Sequence, residues 1–238
     1  MVTGAGSGLG RATAQRLASE GARVACLDIN EAAATETAQG TGSEARAYAV
    51  DVSDPGSVKA AITAAAQELG RPAVLVNCAG IGRFHHTIDL AFEEWQRIIG
   101  VNLTGTFLMA QAVLPYLLDG GGNIVNVASN AGLMGQPYSA AYCASKGGVV
   151  NLTRSLSDEY IKRGVRVNCV APGGIETPLQ DQFRVVPEGL DWTMLGKVRS
   201  VLGNSQPAEV AALIAFVASD EGRYIAGSIL SIDGGITT

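Results

Sequence analysis

What most constrains this chain is an alternation that runs its whole length: short β-rich runs separated by longer stretches of helical periodicity. The runs cover residues 1–3, 23–28, 45–50, 73–77, 123–128, 165–170 and 228–232. Several are continuously apolar, such as Val74-Leu75-Val76, as in strands covered on both faces. Helical patterns fill 9–20, 31–39, 55–69, 92–118, 140–163 and 207–219. Their ends carry boundary signals: Gly21 and Gly70 follow the first and third, and Asp54-Pro55 opens the third with a cap and a first-turn proline. Strands alternating with helices predict an α/β fold, a doubly wound parallel sheet of about seven strands with helices on both faces.

A length of 238 residues, 47% of them hydrophobic, suits one domain over 1–238. The formal net charge is −5, charged residues make up 16%, and there is no run of Lys or Arg. That argues against nucleic acid and against anionic membranes as partners. No uninterrupted apolar run reaches the ~18 residues of a membrane span. Cys26, Cys78, Cys143 and Cys169 include no CxxC pair, as expected of free thiols in a reducing cytoplasm. The first strand has about three residues against a usual ~5–6. The expectation is that the natural chain starts further upstream or that this strand is unusually short.

Thr3-Gly4-Ala5-Gly6-Ser7-Gly8-Leu9-Gly10 joins the first strand to the first helix. The glycines, at GxxxGxG spacing (Gly4, Gly8, Gly10), allow positive φ, close approach of a pyrophosphate and tight helix–sheet packing. A helix N-terminus here offers free N–H groups to phosphate, so Ser7 and Leu9 belong to the same cradle. Asp28 ends the second strand. A carboxylate there accepts from adenosine ribose hydroxyls and repels a 2′-phosphate, which favours NAD over NADP. Asp51-Val52 follows the third strand, where an adenine amino group can bind.

Tyr142 and Lys146, four apart in a helical stretch, share one face. Ser129 lies just past the strand at 123–128, at the end that faces the cofactor crevice in such sheets. A phenol near a fixed ammonium can cycle a proton at moderate pH, and a hydroxyl can hold a substrate oxygen.

Together these motifs resemble the short-chain dehydrogenase/reductase family, in its compact single-domain, Rossmann-type branch. The resemblance runs from Val2 to Gly235. It also takes in Asn77-Cys78-Ala79-Gly80, Asn102, Tyr142-Cys143-Ala144-Ser145-Lys146, Pro172-Gly173 and Asp233-Gly234-Gly235. It implies that Tyr142 is the general acid/base. Lys146 would hold the nicotinamide ribose and lower the Tyr142 pKa, and Ser129 would orient the substrate carbonyl. Asn102 would link Lys146 to a proton relay. Asn77, Ala79 and Gly80 would flank the adenosine ribose; Pro172, Gly173, Ile175 and Thr177 would border the nicotinamide. Cys78 stands where the family usually has a second Asn.

The expected activity is NAD-dependent hydride exchange with a secondary alcohol or ketone, in a cytoplasmic homotetramer, without a metal. Residues 176–206 lack clear periodicity and carry Phe183 and Trp192, which suggests a substrate lid over a bulky, fairly lipophilic substrate. His85 and His86 are adjacent with no third ligand nearby, which fits a site-rim loop rather than a metal site. A non-catalytic cofactor-binding module is disfavoured by the intact Ser129, Tyr142, Lys146 and Asn102. A sugar-nucleotide epimerase would need a larger C-terminal part than follows Lys146.

Overall fold

Strand side chains divide between two cores, and that division forces helices onto both faces of the sheet. Leu27, Leu75 and Ile124 enter one core, while Cys26, Val76 and Val125 enter the other, as the two-residue period of a strand requires. A computed structural model describes residues 1–42 and 44–238. The strands are β1 (Val2–Thr3), β2 (Ala25–Asp28), β3 (Arg46–Ala49), β4 (Val74–Asn77), β5 (Gly122–Val127), β6 (Val165–Pro172) and β7 (Ile229–Ile232). Their order is β3-β2-β1-β4-β5-β6-β7, every neighbouring pair parallel.

The helices are α1 (Gly8–Ser19), α2 (Glu31–Gly40), α3 (Pro55–Leu69), α4 (Phe92–Ile99), α5 (Gly105–Leu117), α6 (Ala140–Tyr160), α7 (Pro178–Arg184) and α8 (Pro207–Ala218). Residues of α3, α5 and α6 fill one core, those of α1, α2 and α8 the other. Asn30 caps α2, accepting from the Ala33 amide, and Asp54 caps α3, accepting from Ser57. The chain runs outward from β1 through β2 to β3, then returns to place β4 on the other side of β1. This reversal opens a crevice at the carboxyl ends of β1 and β4.

Two expectations need correction. The pattern at 92–118 is not one α-helix. A π turn, Gly100–Thr104, separates α4 from α5. Residues 176–206 are not irregular throughout, since they hold α7 and a 3₁₀ stretch, Trp192–Val198. Phe92–Leu117 also has the length and hydropathy of a membrane span. Here its Met109, Ala110, Val113, Leu114 and Leu117 pack into the core beside α3.

Buried polar side chains tie the layers together. Asn123 Nδ2 donates to the Val217 carbonyl at 2.7 Å, fixing α8 to β5. Asn77 Nδ2 donates to Asn126 Oδ1, and Asn126 Nδ2 to Thr153 Oγ1 on α6, both at 2.9 Å. Each such bond contributes about 1 kcal/mol net, and losing one partner strands the other in the core.

Candidate active site

Two adjoining clefts lie at the carboxyl end of the sheet. The first, of about 430 Å³, is lined by Gly4, Ser7, Gly8, Leu9, Gly10, Asp28, Asp51, Val52, Ala79, Gly80, Lys146, Ile175 and Thr177. The second, of about 350 Å³, is lined by Ser129, Tyr142, Pro172, Gly173, Ile175 and Thr177 among others. Ile175 and Thr177 border both, so a ligand spanning the first would present one end to the second. Asn77 departs from expectation. Its side chain points away from the cleft, into the buried Asn126–Thr153 chain.

The start of α1 suits a dinucleotide pyrophosphate. Ser7 precedes the helix but makes no side-chain cap bond, and no acidic residue sits in the first turn. The first-turn N–H groups and the positive helix end are therefore available to an anion. Gly10 is obligatory: a Cβ there would overlap the Gly4 carbonyl oxygen. At the far end of the cleft, Asp28 is fixed by two amides. Oδ2 accepts from Gly6 at 2.8 Å and Oδ1 from Asn30 at 2.9 Å. Held in this way, the carboxylate can still accept from ribose hydroxyls through its remaining lone pairs. Asp51 Oδ1 accepts from the Ser53 amide and hydroxyl, so it also shapes its own turn.

Ser129, Tyr142 and Lys146 converge between the clefts. All three are buried, at 8%, 7% and 4% exposure, which removes the water that would compete for their protons. The Ser129 hydroxyl lies close enough to the Tyr142 phenol to favour its ionised form. Ser129 Oγ also donates to Asn130 Oδ1 at 3.0 Å and accepts from the Ala131 amide at 3.1 Å. Lys146 Nζ lies 5.8 Å from the Tyr142 ring centroid and donates to the Val127 carbonyl at 2.9 Å.

The electrostatics differ from the expectation. Burial pushes Tyr142 up to about 12, against the opposing pull of Ser129. Burial likewise brings Lys146 down to about 8. The protein's own groups thus keep Tyr142 a phenol at neutral pH, because burial disfavours the phenolate.

Asn102 sits in the π turn, fully buried. Its Oδ1 accepts from the Ile81 amide at 2.8 Å, and its Nδ2 donates to the Ile81 carbonyl at 2.9 Å and to Ser145 Oγ at 3.0 Å. Its side chain therefore locks the segment after β4 to the residue beside Lys146. The turn has a tertiary cause, since these bonds place the amide where a regular helix would not.

Segment 176–206 closes over the second cleft. Phe183 packs edge-on against Tyr142 at 5.3 Å and against Phe84 at 5.0 Å. Gly82 makes room for it, because a Cβ there would strike the Phe183 ring. The Gly82 amide donates to Gln182 Oε1 at 3.1 Å. Tyr138 forms a second tie: its hydroxyl accepts from the Asp191 amide at 3.1 Å. Tyr138 is the one non-glycine with positive φ among the described residues, at 61°, a strained setting for an aromatic residue. His86 bonds the Glu188 carbonyl at 2.9 Å, so the histidine pair belongs to this rim. Sequence reasoning missed Phe84, Asn130, Gln136, Gln180 and Arg199 in the second cleft. Only Asn130, adjacent to Ser129, carried a usable signal.

Known proteins match this arrangement along nearly the whole chain. The family model described as enoyl-(acyl carrier protein) reductase matches residues 4–237. The chain is 39% identical to 3-oxoacyl-[acyl-carrier-protein] reductase of Thermotoga maritima, over 99% of this chain and 96% of that one. It is 42% identical to D-threitol dehydrogenase of Mycolicibacterium smegmatis, over 100% of this chain and 92% of that one. Among solved structures, 3-ketoacyl-(acyl-carrier-protein) reductase from Brucella melitensis, complexed with NADH, superposes with a TM-score of 0.89. It is 34% identical, covering 99% of this chain and 96% of that one.

Proposed function

The chain belongs to the short-chain dehydrogenase/reductase family and is an oxidoreductase acting between a nicotinamide dinucleotide and an alcohol or ketone; from that premise we propose an NAD-preferring enzyme whose acid/base is Tyr142. The observation that carries the proposal is the convergence of buried Ser129, Tyr142 and Lys146 between the two clefts. The bound nicotinamide supplies or accepts the hydride. Ser129 holds the substrate oxygen beside the Tyr142 phenol. Tyr142 donates a proton to that oxygen in reduction and takes one in oxidation. Lys146, lining the first cleft, would hold the ribose, and Phe183 shields Tyr142 from water. The test is absorbance of the reduced nicotinamide against a panel of aliphatic alcohols, steroids, hydroxyacyl thioesters and polyols. No turnover of any class would refute the proposal.

The preference for NAD rests on Asp28. No basic residue follows it in Ile29-Asn30 to receive a 2′-phosphate. Asp28→Ala is expected to narrow the kcat/KM ratio of NAD over NADP by tenfold or more. Equal efficiency with both cofactors in the parent protein would overturn the preference.

We also infer a homotetramer with two-fold symmetries, placed in the cytoplasm, where the four cysteines stay free. The small residues of α6 are weaker support than the sequence implied. Gly148 is met by Leu103 of the same chain and Gly147 by Gly132. Support comes instead from apolar residues left exposed on separate helices, Phe107 on α5 at 40% and Phe216 on α8 at 41%. Apolar surface on two sides calls for two partners, and closed symmetry is the usual solution. Light scattering at micromolar concentration should give about four chain masses; a monomer would sink the inference.

A further inference from the structure

The cleft over Tyr142 is charged with one sign only. Of its lining residues, Arg184 and Arg199 are ionic and none is acidic. Arg184 is answered by Asp181, at 2.9 Å. Arg199 makes no ion pair among the described residues. The nearby carboxylate of Glu176 is engaged by Asn204 Nδ2 at 2.7 Å. Lys197, two residues before Arg199, adds positive potential felt at Cys143, next to Tyr142. The lining also carries apolar residues: Phe84, Phe183, Trp192 and Leu195.

We propose that the substrate is a compact hydroxy or oxo acid whose carboxylate pairs with Arg199 while its carbinol or carbonyl carbon faces Ser129 and Tyr142. The proposal rests on the assignment of those two residues made above. Arg199 keeps an exposed face, so solvent screens it in part; a carboxylate still matches its guanidinium fork with two hydrogen bonds, which a neutral group cannot. Arg199 is not needed for the cofactor phosphates, because the cradle of Gly8 and Gly10 lies in the other cleft. The volume of about 350 Å³ is near the lower end of ligand pockets, about 300–1,000 Å³, which favours a compact body over a long acyl chain. The lipophilic substrate expected from Phe183 and Trp192 becomes an amphiphilic one.

The test is calorimetry on the NADH-loaded protein with benzoate, benzamide and phenyl phosphate as probes. Benzoate is expected to bind at least tenfold more tightly than benzamide. Arg199→Gln should bring the two within twofold, and Arg199→Lys, which keeps the charge but not the fork, should keep only part of the difference. Equal affinities in the parent protein overturn the proposal, as does a preference that survives Arg199→Gln. Tighter binding of phenyl phosphate than of benzoate also overturns it, pointing to a phosphorylated substrate or a carrier arm. Binding is read without turnover, so failure here is distinct from failure of the alcohol panel.

Discussion

Tyr142→Phe should lower the rate of alcohol oxidation about a thousandfold or more while leaving the fold and cofactor affinity nearly intact. The change removes one oxygen from a buried ring and leaves its contact with Phe183 in place. What is lost is the only phenol among the residues lining the two clefts. Proton transfer by a positioned group contributes about 10²–10⁴ in rate, and Lys146, the other ionisable group between the clefts, is engaged by the Val127 carbonyl. The pH dependence sharpens the test. Burial holds Tyr142 at about 12 by the protein's own groups, too high for a base at neutral pH. The positive charge of a bound oxidised nicotinamide favours the phenolate and lowers that value. Oxidation, which needs phenolate, should therefore speed up as pH rises, and ketone reduction, which needs phenol, should slow. Tyrosinate absorbance, parent minus Tyr142→Phe, should show a transition near 12 in the protein alone and a lower one with NAD bound. One transition at the same pH in both, or near-normal turnover by the variant, would remove Tyr142 from the mechanism.

The parts of this site that were legible in the sequence are those set by local rules. The glycine turn, the cap and proline at Asp54-Pro55, and the four-residue spacing of Tyr142 and Lys146 each follow from backbone geometry over one or two turns. Asn77 was read into the cleft because the family resemblance implied it. Strand parity would have placed it correctly: Val76 enters one core, so Asn77 turns to the opposite face, where Asn126 and Thr153 receive it. The π turn left no trace, because Gly100, Val101 and Leu103 continue the helical pattern and only the bonds from Asn102 to Ile81 and Ser145 reveal it. Segment 176–206 was legible as a stretch without period but not as a structure. Its α7 has seven residues, too few to establish a period, although Pro178 does mark its start. The contact of Phe183 with Gly82 and Tyr142 joins distant parts of the chain, and no local pattern encodes it.

Lys146→Met should make the protein more stable and far less active at the same time. Lys146 is 4% exposed, and burial brings its ammonium from 10.5 down to about 8. A cation whose pKa falls on folding is disfavoured in the folded state. Between pH 8 and 10.5 the unfolded chain binds more protons than the folded one, so stability rises with pH across that window. Below pH 8 the penalty is present in full, and at about 1.4 kcal/mol per pKa unit it comes to about 3 kcal/mol. Methionine fills similar space without a charge, so the penalty disappears. Losing the bond to the Val127 carbonyl takes back about 1 kcal/mol, leaving a gain of about 2 kcal/mol at pH 7. As pH rises from 8 towards 10.5 the penalty fades while the missing bond remains, so the gain should fall to about zero near pH 10 and turn into a deficit of up to about 1 kcal/mol above it. Activity should move the other way, by about a hundredfold or more, because the cofactor cleft loses its buried cation and Tyr142 its positive neighbour. Urea midpoints at pH 7 and at pH 10, read beside turnover, decide the matter. A variant less stable than the parent at pH 7 would mean that Lys146 is held by interactions stronger than its burial opposes. A gain independent of pH would mean that packing, not charge, is responsible. The expected pairing of greater stability with lost activity identifies Lys146 as a group kept in the core for its chemistry, at a cost to the fold that a neutral side chain relieves.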